Sequence, residues 1–215
     1  MGLNTQDMEA TPSWWTFPFK PVRVDPGVFD RLDCSLYTAE LKFDGWRAVL
    51  IAGPSEAELW TREKRRIEIP DSLRSDLDKL RLPTGTVLDG EIWNPEKRGG
   101  WKHSKGSECR LTLWDAIRVG TADMRPKPIE ARREALRGLI GAGTDAISCV
   151  EVLPASRKIH DESLSEAVRV RGSSRSGFVH GLVLKRVGSP RRDNNIRCVE
   201  HPDWLKIVYP GMQSE

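Results

Sequence analysis

The sequence predicts an α+β fold, antiparallel sheets flanked by a few helices. Short apolar stretches rich in β-branched residues recur along the chain, helical periodicity is clear in only two places, and strands and helices do not alternate as a doubly wound sheet requires. With 38% hydrophobic residues in 215, the chain can bury a core.

Residues 1–35 carry Pro12, Pro18, Pro21 and Pro26 and read as an irregular lead-in packed on the core, with residues 36–215 as one domain. Alternation and β-branching then place strands at 37–43, 46–52, 58–61, 86–93, 110–114, 148–153, 181–185 and 204–208. Asp44-Gly45 between the first two is a hairpin signal. A helix over 71–80 opens on Asp71, whose carboxylate suits free backbone N–H groups. A second over 129–140 spaces Ile129, Leu136, Leu139 and Ile140 along one face and stops at Gly141. A third is expected over 161–168.

Net charge is only +3, yet Arg and Lys collect at 62–66, 97–105, 169–175 and 185–197, which suits a phosphate backbone. Any one cluster taken alone equally fits a solvated face. Cys34, Cys109, Cys149 and Cys198 form no Cys-x-x-Cys pair, so reduced thiols are expected rather than zinc or disulfides. No run of eighteen apolar residues exists, and the first nineteen residues lack a basic start followed by an apolar stretch. No membrane partner is expected, and a cytoplasmic protein is. His103, His160 and His201 show no ligand spacing and read as surface side chains, while Trp101 in its basic stretch is a candidate base-stacking side chain.

The stretch from Glu40 to Arg47 asks for more than a turn. Lys42 ends an apolar strand with Glu40, Asp44 and Arg47 close by. In a largely apolar, phosphate-rich pocket, desolvation and neighbouring cations disfavour the charged form of a lysine and free its amine for attack.

These residues, Lys42-Phe43-Asp44-Gly45-Trp46-Arg47, resemble the K-x-D-G-x-R signature of the covalent nucleotidyltransferases, which comprise ATP- and NAD-dependent DNA ligases, RNA ligases and mRNA capping enzymes. Further segments resemble the family's motifs in order. Thr61-Arg62 is similar to its S/T-R segment, Asp89-Gly90-Glu91 to its D-G-E strand, and residues 111–115 to the segment whose aromatic stacks on the purine, here Trp114. Residues 124–139 look like the helix with paired basic residues found in ATP-dependent DNA ligases, a structural element. Residues 180–185 resemble the E-G-L-V-L-K strand and residues 203–206 the W-x-K-x-K strand.

The resemblance implies a ligase-type adenylation domain in which Lys42 takes AMP from ATP, Glu40 reads adenine, and Arg47, Arg62, Glu91, Trp114, Lys185 and Lys206 hold the nucleotide. Lys185 and Lys206 would stabilise charge on the phosphates, with Mg2+ or Mn2+ assisted by Glu91 and, less well, His180. Arg62, Lys64, Arg65 and Arg66 are candidates for nucleic-acid contact. The implied partner is nucleic acid with a 5′-phosphate end, nicked DNA first, as in DNA repair and replication. A guanylyltransferase fits Glu40 less well.

Two positions depart from the family. His180 stands where a metal-assisting carboxylate is usual, and Val208 where the last strand usually offers a second lysine. Arg186, Lys64 or Arg197 could compensate. Only residues 209–215 follow the last expected strand, so no C-terminal OB-fold barrel is expected and a protein partner could supply its function. A nucleotide- or nucleic-acid-binding module with impaired turnover, or an RNA ligase, are the alternative readings.

Overall fold

The structure is a computed structural model that describes residues 16–95, 109–170, 179–194 and 196–210. The basic stretch 97–105 with Trp101 and His103, and most of 169–175, lie outside the described residues. In chain order the strands are β1 (Lys20–Arg23), β2 (Tyr37–Phe43), β3 (Trp46–Ala52), β4 (Ala57–Thr61), β5 (Arg66–Ile67), β6 (Val87–Trp93), β7 (Arg110–Val119), β8 (Ala122–Asp123), β9 (Ile147–Cys149), β10 (Val152–Pro154), β11 (Val179–Arg186) and β12 (Glu200–Val208). The helices are α1 (Asp71–Lys79), α2 (Ile129–Ile140) and α3 (Arg157–Val170).

They build two sheets, as the α+β expectation requires. The first runs β1-β12-β11-β2-β10, and the second runs β5-β4-β3-β6-β7-β8 with β9 added in parallel beside β7. Every other pairing is antiparallel except β1 with β12. β3 is buried on both faces from Ala48 to Ala52, which explains why its sequence is a continuous apolar run rather than an alternation. Ala48 and Leu50 face a core shared with Leu73 and Leu77 of α1 and Leu136 and Ile140 of α2, whereas Val49 and Ile51 pack with Trp60, Val87 and Ile117. In the first sheet Ala39, Leu184 and Ile207 form one core and Leu182 packs with Ala167 of α3 and Tyr209. No helix among the described residues is long and apolar enough to cross a membrane.

Several expectations need correction. Asp44-Gly45 does not close a hairpin: β2 pairs with β10 and β11, β3 with β4 and β6, so the turn hands the chain from one sheet to the other. The strand expected at 148–153 is likewise two strands in different sheets, β9 on β7 and β10 on β2, with the crossing at Val150 and Glu151. Within the lead-in, residues 20–23 form β1, and 3-10 turns cover Pro26–Asp30 and Cys34–Leu36, each opened by an Asp side chain accepting a backbone N–H. Prolines mark such turns but do not forbid an edge strand. Pro70, not Asp71, is the N-cap of α1, so Asp71 acts through its charge in the first turn. α2 matches the expected bounds, and Gly141 ends it at φ +59°, a conformation that favours glycine.

Candidate active site

A cleft of about 630 Å³ opens where the two sheets meet. Lys42 lies near the end of β2, opposite Gly181 of β11, and its Nζ donates to the Phe43 carbonyl at 3.3 Å. Asp44 and Gly45 make the turn between the sheets. The Gly45 N–H donates to Glu91 Oε1 at 2.7 Å, and a Cβ at Gly45 would stand 2.4 Å from the Ile92 carbonyl oxygen, so only glycine permits this approach. Burial pushes the Glu91 carboxyl up to about 7, against the pull of the Lys42 charge and the Gly45 N–H.

Side-chain alternation brings the other groups to the same wall. Glu40 and Lys42 of β2, Val183 and Lys185 of β11, and Trp204 and Lys206 of β12 all line the cleft. Trp114 of β7 joins them from the second sheet. The Lys185 ammonium sits 4.0 Å from the Trp204 ring centroid and 5.7 Å from that of Trp114. It also pairs with Glu40 Oε2 at 2.5 Å, while the other Glu40 oxygen accepts from Arg133. Burial lowers the Lys185 ammonium to about 8, opposed by Glu40.

Arg47 does not reach freely into the cleft. Its Nε donates to Asp89 Oδ1 at 2.9 Å, a second nitrogen reaches Asp89 Oδ2, and Nη1 donates to the Phe19 carbonyl. Behind it lies a buried chain of charges. Arg191 Nη1 donates to Asp89 Oδ2 at 2.8 Å and to Asp115 Oδ2 at 3.1 Å, and its Nε reaches Asp193. Asp115 in turn accepts from Arg132 Nε at 2.7 Å. Burial alone would raise Asp89 and Asp115, but the surrounding guanidinium charges hold both below the usual carboxylate range.

Thus Glu40, Lys42, Arg47, Arg62, Glu91, Trp114, Lys185 and Lys206 line one cleft. Arg65 and Arg66 line its rim with Arg62, which is exposed and paired with Glu63 at 2.9 Å. Lys64 does not: at φ +61° in the turn after β4, it lays its ammonium 4.3 Å from the Phe17 ring centroid. His180 is outside the lining too, buried with Nε2 3.1 Å from Asp44 Oδ2. Among the described residues no group of three or more His, Cys, Asp or Glu could hold a metal ion. Glu91 accepts the Gly45 N–H on one of its oxygens, and His180 Nε2 faces Asp44. His160 and His201, expected at the surface, are buried: His160 against Asp161, and His201 donating from Nε2 to the Pro190 carbonyl while its Nδ1 accepts from the Asp203 N–H.

Sequence reasoning missed Lys20, Arg133 and Arg191. For Arg133 the signal was present, because residues 129, 132, 133, 136 and 140 form one buried helical stripe with two arginines inside it. Lys20 and Arg191 sit in stretches with no periodicity to place them.

No family model matches the chain. It is 24% identical over 182 residues to the SPβ prophage-derived DNA ligase-like protein LigB of Bacillus subtilis, covering 80% of this chain and 61% of that protein. Among solved structures, mycobacterial DNA ligase D complexed with ATP and MES superposes with a TM-score of 0.65 and 19% identity, over 90% of this chain and 60% of that one. The ATP-dependent DNA ligase of bacteriophage T7, in complex with ATP, gives 0.54 and 14% over 91% of this chain and 69% of that one. The fold is that of the adenylation domain of ATP-dependent DNA ligases, and the chain spans about three fifths of the length of the first two of these proteins.

Proposed function

We propose that this chain is the nucleotidyltransferase core of an ATP-dependent DNA ligase, with Lys42 as the nucleophile. The observation that carries this reading is the convergence of eight side chains, drawn from six strands and the turn after β4, on one cleft around Lys42. Once the Lys42 ammonium has shed a proton, its amine attacks the α-phosphorus of ATP. A nitrogen–phosphorus bond forms, the bond to the bridging oxygen breaks, and pyrophosphate leaves. A 5′-phosphate oxygen at a DNA nick then takes the AMP and restores the lysine. The neighbouring 3′-hydroxyl next attacks the adenylated phosphate and releases AMP.

Trp114 offers a face for the purine, and Lys185 and Lys206 offer charge for the phosphates. Both oxygens of Glu40 are engaged, yet each keeps a second lone pair that an adenine amino group could use. A divalent cation, Mg2+ or Mn2+, would come with the nucleotide and lower the charge on its phosphates; the steps above rest on the side chains. Nicked DNA is the proposed partner, the cytoplasm the proposed compartment, and an OB-fold function supplied by another domain or protein would complete sealing.

The test is incubation with α-labelled ATP and, separately, α-labelled GTP, with magnesium or manganese, followed by denaturation. Acid-labile label from ATP is expected on the protein and absent from Lys42→Ala. A second reading, a nucleotide-binding module without turnover, is favoured by His180, which faces Asp44 rather than the cleft, and by the uncharged Val208. It takes the lead if a folded sample, shown by mass not to be adenylated already, acquires no label.

A further inference from the structure

We infer that Lys20 of β1 is a phosphate-binding residue of the cleft, acting beside Lys206 on the triphosphate of the nucleotide. For catalysis this rests on the nucleotidyl-transfer reading above; for binding it stands by itself. β1 pairs in parallel with β12, Lys20 opposite Glu200 and Arg23 opposite Lys206, with a shift of register between Pro21 and Val22. That pairing brings Lys20 and Pro21 to the wall that Trp204 and Lys206 form, and all four line the cleft.

The charges there are unbalanced. Burial first, then the positive charges of Lys20 and Lys42, hold the Lys206 ammonium below its ordinary range, so the three cations are close enough to repel. The nearby carboxylates offset them only in part, with Glu200 acting on both Lys20 and Lys206. Glu40 is engaged by Arg133 and Lys185, Glu91 accepts from Gly45, and Glu200 stands 3.8 Å from Lys20 with both side chains about half exposed. A polyanion relieves this repulsion, and the triphosphate of the nucleotide is the one proposed. Val208, two residues beyond Lys206 on the same face of β12, adds no charge, so the second cation at this wall comes from β1. Lys20 acts by charge alone: no bond forms at it and its proton stays.

The test compares rates of label transfer from α-labelled ATP. Lys20→Met is expected to slow protein–AMP formation about tenfold or more, Lys20→Arg to stay within about threefold, and Val208→Lys to restore part of the loss in the Lys20→Met background. Lys158→Met, whose side chain on α3 is 81% exposed, removes a charge elsewhere and should change nothing. Lys20→Met transferring label as fast as the unaltered protein, while Lys42→Ala transfers none, overturns the inference and leaves the ligase reading standing. If the unaltered protein takes no label, the transfer reading falls, and tryptophan fluorescence titrations decide about Lys20. Weakening of ATP by about fivefold in Lys20→Met, with adenosine unchanged, supports the phosphate role. Equal ATP affinity in the two proteins, or no ATP binding at all, overturns it.

Discussion

Glu91 holds a carboxyl at about 7 because burial outweighs the Lys42 charge and the Gly45 N–H. Its folded value lies above the ordinary 4.5, so between those two values the unfolded chain loses a proton that the folded chain keeps. Stability therefore falls as pH rises through that window and levels off above about 7. Denaturant titrations at pH 4.5, 6 and 8 should show the unaltered protein losing about 3 kcal/mol more than Glu91→Gln. Equal pH slopes for the two proteins would mean that Glu91 ionises normally. The identities of the cleft residues were readable in the sequence because their chemistry is local to short motifs. Their partners were not: that Glu40 is gripped by Arg133, or His180 by Asp44, depends on residues 93 and 136 positions apart.

Among the elements, the turn at Asp44-Gly45 has the largest consequence. The same two residues suit a tight hairpin and a crossing between sheets, so local turn chemistry could not say which. Only the strand partners decide, and those are set by burial over the whole chain. Gly45→Ala places a methyl against the Ile92 carbonyl and the Glu91 side chain, and the turn must move outward. A loss of about 1–3 kcal/mol is expected, with a drop in labelling rate larger than the unfolded fraction explains, because Lys42 is three residues upstream. Melting curves and label transfer measured on the same samples check both. Helix α2 was legible to the residue, since its periodic face and terminal glycine are signals that lie within the element.

For the molecule as a whole, the buried chain of Arg47, Asp89, Arg191, Asp115 and Arg132 joins β3, β6, β7, α2 and the segment after β11. Removing its central cation leaves Asp89 with Arg47 alone, Asp115 with Arg132 alone, and Asp193 without its guanidinium. Arg191→Met should cost about 3–5 kcal/mol at neutral pH, measured by urea unfolding. Asp89 and Asp115 are held below their usual range, so their contribution is present above about 3.8 and is lost as pH falls through the lowered values. Without Arg191 that loss begins at a higher pH, and the acid transition should move up with it. The network was not legible, because each charge alone looks like solvated surface. The two sheets also differ in when they can be made. β3 to β9 lie within residues 46–149, whereas the first sheet sets β1 against β12, some 180 residues later. As the chain leaves the ribosome the second sheet can assemble from what has already emerged, while β1 waits for the last strand. The cleft is thus completed only after β12 has emerged, and a chain cut short before β12 has the second sheet without the facing wall.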